Sequence, residues 1–286
     1  MSAAIIGDNG AVNHTHDAVS QPAAACLIDP VRLRQLLGAA SQGMTIDALP
    51  SCESTSTVLL QRARQGATTP SLLVADQQTA GRGRRGRRWL SSAAASLTFS
   101  LLWRCERALA DMTGLSLAAG VAVARALESC GASPIGLKWP NDVLLDCGKV
   151  AGILIDLETA TPGVLAVIGI GLNLQLPRNG DEDMPYPPAA LAQSLASLPE
   201  RHQLLACLLR ELIAVLDCFA EHGFSALRDD WQARHAWQER RVRLCEAGLP
   251  EREGICLGAD VDGALLLQTK SGKQRFFSGD VSLRAR

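Results

Sequence analysis

The sequence predicts an α/β fold followed by a small β-barrel, and three observations carry that prediction. Between Leu27 and residue 238, stretches of helical spacing alternate with short apolar runs of period two. From Arg241 onward the helical pattern stops, and short strands follow with turns at Asp262-Gly263 and Ser271-Gly272. The length of 286 residues allows one large domain and one small one. The expected division is a flexible tail over residues 1–26, a main domain over 27–238 and a small domain over 239–286.

Residues 1–26 are rich in Ala, Asn, Asp, Gly and His without sustained periodicity, which is the composition of a tail. A helix is expected over Val31–Ala40 and a strand over Thr45–Leu49. Ser54 or Thr55 is a good N-cap for a helix running to about Gln65, where Gly66 ends it. Strands are expected at Ser71–Asp76, after Pro70, and at Ser96–Trp103, where Leu97, Phe99, Leu101 and Trp103 alternate. The Ala- and Val-rich run Leu115–Leu127 reads as a helix ending near Gly131. Further strands are expected at Ile135–Trp139, Val143–Leu145, Val150–Glu158 and Val164–Leu174. The prolines of 177–188 mark a surface loop. Helices follow at His202–Ala220, with leucines at helical spacing, and at Ser225–Trp237.

Composition sets bounds on function. Net charge is −1, with 47% hydrophobic and 20% charged residues, ordinary for a globular protein. This speaks against bulk nucleic-acid affinity. Nine cysteines are scattered with no CxxC pair, which argues against a disulfide framework or a structural zinc site and suits a reducing cytoplasm. No metal site is assigned; His14 and His16 lie in the tail. No apolar run reads as a membrane span and the N-terminus lacks a secretory pattern.

Gly81-Arg-Gly-Arg-Arg-Gly-Arg-Arg88 stands out against that near-neutral background. Five guanidiniums cannot be buried unpaired, and their forked donors suit carboxylate and phosphate oxygens. The glycines let the backbone approach a ligand closely. They also match GxGxxG, but the dinucleotide reading needs a helix directly after the loop, and here a strand follows. A solvated basic loop, or one that binds RNA, is the bland alternative.

Further motifs follow in order: Lys138-Trp-Pro-Asn-Asp142, Gly148-Lys-Val-Ala-Gly-Ile-Leu-Ile155 and Ile168-Gly-Ile-Gly-Leu-Asn173. With the arginine loop, Glu53-Ser-Thr-Ser56 and Gln77-Gln-Thr-Ala-Gly81, they resemble the biotin–protein ligases from about Leu27 to the C-terminus. The resemblance implies a mixed-sheet catalytic domain of the biotin/lipoate ligase superfamily with an SH3-like C-terminal domain. It implies activation of biotin by MgATP to biotinyl-5'-AMP, then transfer to a lysine of a biotin carboxyl carrier protein. Some members carry an N-terminal DNA-binding repressor domain; the match begins too early here to leave room for one, so no DNA binding is expected. A homodimer through the main sheet is possible by family analogy.

The chemistry needs cations, because an anionic carboxylate must attack an anionic α-phosphate. By resemblance Arg82, Gly83 and Arg84 line the biotin and adenylate site, and Lys149 stands beside the reacting carboxylate and phosphate. Lys149 and Arg84 are the expected catalytic groups. From its turn alone, Lys149 is equally a solvated lysine. Gly152 and Gly171 interrupt apolar strands and leave clearance for a flat bicycle, although strand packing also explains them. Ser54, Thr55, Ser56 and Gln78 offer short polar groups for the ureido ring; the family usually has Asn where Ser56 stands, and helix capping accounts for Ser54 and Thr55 otherwise. Arg84, Arg85, Trp89, Lys138, Asn141, Asp142 and Arg284 are the expected nucleotide contacts, with Asp142 related to magnesium or loop bracing and Arg284 reaching the triphosphate. Core packing is the alternative for Trp89, and an unliganded turn for Asn141-Asp142. The loop is expected to order over ligand anions as a lid. A lipoate or octanoate ligase and a non-enzymatic nucleic-acid module are the alternatives; the first is expected to lack the arginine loop.

Overall fold

The apolar strands pair side by side, and the chain gathers them into two sheets in which antiparallel pairs dominate. In a computed structural model, residues 26–176, 187–246, 250–277 and 281–285 are described. The tail before Cys26, with His14 and His16, and most of the 177–188 loop lie outside them.

Asp29 caps α1 (Pro30–Leu37) by accepting from the Val31 N–H at 2.9 Å, with Pro30 in the first turn. The chain continues through β1 (Thr45–Cys52), α2 (Thr55–Arg64), β2 (Ser71–Gln78), β3 (Ser96–Cys105) and α3 (Leu115–Ser129). Next come β4 (Ile135–Lys138), β5 (Asp142–Leu145), β6 (Gly148–Thr159) and β7 (Val164–Asn173). These seven strands form one sheet in the order β1-β2-β3-β7-β6-β5-β4. β1 and β2 are parallel and every other pair antiparallel, which makes the sheet mixed.

One face packs on α3 and on α4 (Arg201–His222), forming the main core with Phe99, Val121, Ile153, Leu209 and Phe219. The other is partly covered by α2, through Leu59 and Ala63 on Leu73, Leu102 and Val167. What α2 leaves open is the site described below. The segment Leu109–Ser129 is long and apolar enough to cross a membrane by length and composition, contrary to the sequence reading. Here α3 spends that apolar surface on packing, with Leu117 to Leu127 almost wholly buried apart from Arg125.

The helix expected over Ser225–Trp237 is shorter: α5 covers Arg228–Ala233 only. The reason lies in the sheet. Leu137 N–H donates to Arg234 O at 2.7 Å and Ala236 N–H to Leu137 O at 2.9 Å, so the edge of β4 captures residues 234–236. The C-terminal strands β8 (Arg241–Glu246), β9 (Arg252–Ala259), β10 (Leu265–Thr269), β11 (Gly272–Phe276) and β12 (Val281–Ala285) form a five-stranded antiparallel sheet in the order β11-β10-β9-β8-β12. It joins the rest through α5, where Arg228 and Gln232 bond the backbone at Ala259, and through Trp139 Nε1, which donates to Gly263 O at 3.1 Å.

Candidate active site

The open part of the sheet is floored by glycines because side chains stand directly over them. A Cβ at Gly171 would overlap the Trp89 indole, one at Gly169 would overlap Ser56 Oγ, and one at Gly152 would lie 3.0 Å from Lys149 Nζ. In this structure protein side chains, Trp89, Ser56 and Lys149, occupy the space over these glycines. Above this floor lies a cleft of about 350 Å³, in the range of small-molecule sites.

One wall is the start of α2. Ser54 caps the helix, its side chain accepting weakly from Thr57 N–H at 3.5 Å. Thr55 N–H donates to Gln78 Oε1 at 2.7 Å, and Thr55 Oγ1 lies 2.7 Å from Ser100 Oγ, which lies 3.0 Å from Ser56 Oγ. Gln78, Thr55, Ser100 and Ser56 are thus one hydrogen-bonded row. Ser100 was missed by the sequence reading, which counted only the odd-numbered apolar positions of its strand. A small polar residue on the second face of a fully buried strand is the signal that marks it.

The arginine loop is a hairpin rather than a loose tether. Its neck is closed by Trp89 N–H to Gly81 O and by Gly83 N–H to Arg87 O, both 2.8 Å. At its tip Arg85 and Gly86 take left-handed backbone angles, which explains the glycine. Arg82 makes a two-pronged pair with Asp156, at 3.1 and 3.2 Å. Arg84 crosses the cleft mouth to Asn141 Oδ1 at 3.3 Å, and Asn141 in turn donates to Ile153 O at 2.8 Å. Trp89 lies across the floor with its Nε1 buried and lacking a partner among the described residues.

The far wall carries the charges. Asp142 accepts from Lys138 Nζ at 3.0 Å with one oxygen and from Lys149 Nζ at 2.5 Å with the other. Burial alone would raise its carboxyl, but the ammonium groups of Lys149 and Lys138 outweigh it and hold it at about 2. Burial pushes the Lys138 ammonium down, opposed by Asp142. Lys149 is no solvated turn lysine: its side chain is 28% exposed and its Nζ stands 5.7 Å from the Trp89 ring centroid.

Ser54, Thr55, Ser56, Gln78, Arg82, Gly83, Arg84, Arg85, Trp89, Lys138, Asn141, Asp142, Lys149, Gly152 and Gly171 therefore meet in one cleft. Arg284 does not line it: the residue is exposed, on the face of β12 opposite buried Leu283, and it is Leu283 that reaches the cleft wall. Strand parity separates the two. Seven cationic side chains line the cleft against one carboxylate, Asp142, among the described residues. Such a wall fits a polyanionic ligand over an apolar floor.

Comparison with known proteins agrees. Residues 48–173 match the biotin/lipoate A/B protein ligase family and residues 239–284 the biotin protein ligase C-terminal domain. The bifunctional ligase/repressor BirA of Escherichia coli is 35% identical over 91% of this chain and 81% of its own length. The biotin–[acetyl-CoA-carboxylase] ligase of Mycobacterium tuberculosis is 38% identical over 86% of this chain and 92% of its own. The structure of the Aquifex aeolicus biotin protein ligase in complex with biotin and ATP superposes with a TM-score of 0.72 at 30% identity, covering 85% of this chain and 99% of that one. The chain therefore belongs to the biotin/lipoate A/B protein ligase family, among its biotin protein ligases.

Proposed function

We propose that this protein is an ATP-dependent biotin–protein ligase whose chemistry runs in the cleft between α2, the arginine hairpin and the β5–β6 wall. The observation that carries this reading is the crowd of cations around one carboxylate, above a floor of glycines. A biotin carboxylate oxygen attacks the α-phosphorus of ATP, the bond to the β-phosphate oxygen breaks, and pyrophosphate leaves with its electrons. The product is biotinyl-5'-AMP. A lysine amine of a carboxylase's carrier domain then attacks the acyl carbon, loses a proton, and AMP departs.

Each wall has a task in this reading. Gln78, Thr55 and Ser56 face the ureido ring with buried Ser100 tying them together, and the glycine floor takes the bicycle once Trp89 shifts from it. Two hydroxyls, Ser56 and Ser100, stand where an amide at position 56 would offer separate donor and acceptor groups. Lys149 and Arg84 bring positive charge to the carboxylate and α-phosphate, where repulsion between the reactants is the obstacle. Lys138, Asn141 and Arg85 serve the nucleotide.

Magnesium enters as MgATP. Among the described residues the cleft has one carboxylate, with both oxygens taken by lysines, and no group of three metal-ligating side chains occurs among them. With both of its oxygens on lysines, Asp142 is read as the brace of the two ammonium groups. The scattered free cysteines suit a reducing cytoplasm as the place of action.

The test is pyrophosphate release from MgATP with biotin, lipoate or octanoate, followed by addition of apo carrier domain. Release with biotin alone, and amide-linked biotin once the carrier is added, is the expected result. Release with lipoate but not biotin would refute the assignment.

A further inference from the structure

In an unbroken strand, residues 149 and 152 point to opposite faces. Here they share one, since a Cβ on Gly152 would lie 3.0 Å from both Cε and Nζ of Lys149. The register accounts for it. Val143 of β5 pairs with Ala151, and its successor Leu144 pairs with Lys149, so Val150 is an extra residue in β6. Val150 and Ala151 are both buried in the main core. The bulge turns Lys149 away from that core toward the cleft, as bulges near functional sites commonly re-aim a side chain.

A bulge needs other partners for the backbone it frees. Pairing of β6 with β7 starts only at Ala151. On that side Lys149 N–H donates to Pro187 O at 3.0 Å, and Lys149 O accepts from Ala189 N–H at 2.9 Å. Asn173, the last residue of β7 and 9% exposed, closes the arrangement. Its Nδ2 donates to Lys149 O at 3.3 Å and to Ala189 O at 3.1 Å. Only the amide's nitrogen end can serve two carbonyls, so its orientation is fixed.

We infer that Asn173 is a positioning residue for Lys149: it ties the Lys149 carbonyl to the 187–189 segment and holds the bulge that presents the ammonium to the reacting atoms. This rests on the role proposed above for Lys149. Nothing in the notation GIGLN of the sequence assigns Asn173 such a task, because the task arises from a register shift in another strand.

The experiment measures biotin-dependent pyrophosphate release by wild type, Lys149→Ala, Asn173→Ala, Asn173→Asp and the double variant Lys149→Ala/Asn173→Ala, with thermal melting of each. Asn173→Asp keeps the shape and removes both donors, and it carries the test should Asn173→Ala fold poorly. Both Asn173 variants are expected to lower kcat by about 10- to 100-fold, the scale of a misplaced catalytic group. KM for biotin should stay within about 2-fold, and Asn173→Ala should cost nothing further once Lys149 is Ala. Wild-type kcat in both Asn173 variants beside a crippled Lys149→Ala overturns the inference and leaves Lys149 in its role. Losses that multiply in the double variant also overturn it, since Asn173 would then act independently of Lys149. A fully active Lys149→Ala protein removes the role of Lys149 and the inference with it.

Discussion

Lys149 Nζ and an Asp142 oxygen lie 2.5 Å apart in the cleft, and the two residues make separable predictions. Lys149→Met keeps most of the stem and removes the charge, so kcat for adenylation should fall by about 100-fold or more, the scale of losing one electrostatic stabiliser. KM for biotin should move far less; a raised KM with unchanged kcat would show that Lys149 only binds. Asp142 bears on stability. Its carboxyl titrates near 3.8 when unfolded and at about 2 when folded. Stability from this shift is therefore complete above about pH 4 to 5 and is lost as pH falls toward 2, a change of about 2 kcal/mol. Asn at this position should forfeit that acid-side loss. It should also start about 3 kcal/mol lower at neutral pH, because the buried Lys138 ammonium and the partly buried Lys149 ammonium lose their counter-charge. Denaturant unfolding of both proteins from pH 2 to 7 decides it.

At the scale of elements, the arginine hairpin joins a braced neck to an exposed tip. Arg82 is spent on Asp156, and Arg201 of α4 fixes the hairpin's far root by donating to Ser96 O at 3.0 Å and Ala94 O at 2.8 Å. Arg84 is the member that spans the mouth. Arg84→Gly should release free biotinyl-5'-AMP about 10-fold faster, the equivalent of one charge-assisted hydrogen bond of about 1.5 kcal/mol. Chromatography of the nucleotide outside the enzyme during carrier-free turnover measures it, and retention as in wild type would sink the lid. Most elements were legible in the sequence to within a few residues, because period two and helical spacing are local properties. The same holds for the residues gathered in the cleft, whose motifs the chain presents in order. Other features were not legible, because they depend on distant partners. The end of α5 is set by capture at β4, the hydrogen bonding of Ser100 by the start of α2, and the bulge behind Lys149 by its register on β5.

At the scale of the whole molecule, the joint between the two sheets contains a group that titrates. His235 is 7% exposed, stacks on Trp231 with centroids 4.6 Å apart, and has Cys256 Sγ 3.7 Å from its Nε2. Burial lowers it to about 4, with a partial offset from Gln238. Between pH 6.5 and 4 the unfolded chain binds a proton here that the folded one refuses, so stability declines as pH falls through that window and levels off below it. The full loss is about 3 kcal/mol. His235→Gln should flatten the decline over that interval; equal slopes for both proteins would place the acid sensitivity elsewhere. The joint also brings Leu283 to the cleft, whose lining starts in the chain at Ser54. A nascent chain on the ribosome consequently holds every cation of the site long before it holds the whole enclosure. Until translation has passed residue 283, the growing polypeptide lacks the Leu283 side chain that the C-terminal sheet contributes to the cleft wall. The order of synthesis thus delays a finished reaction chamber until almost all of the described fold exists.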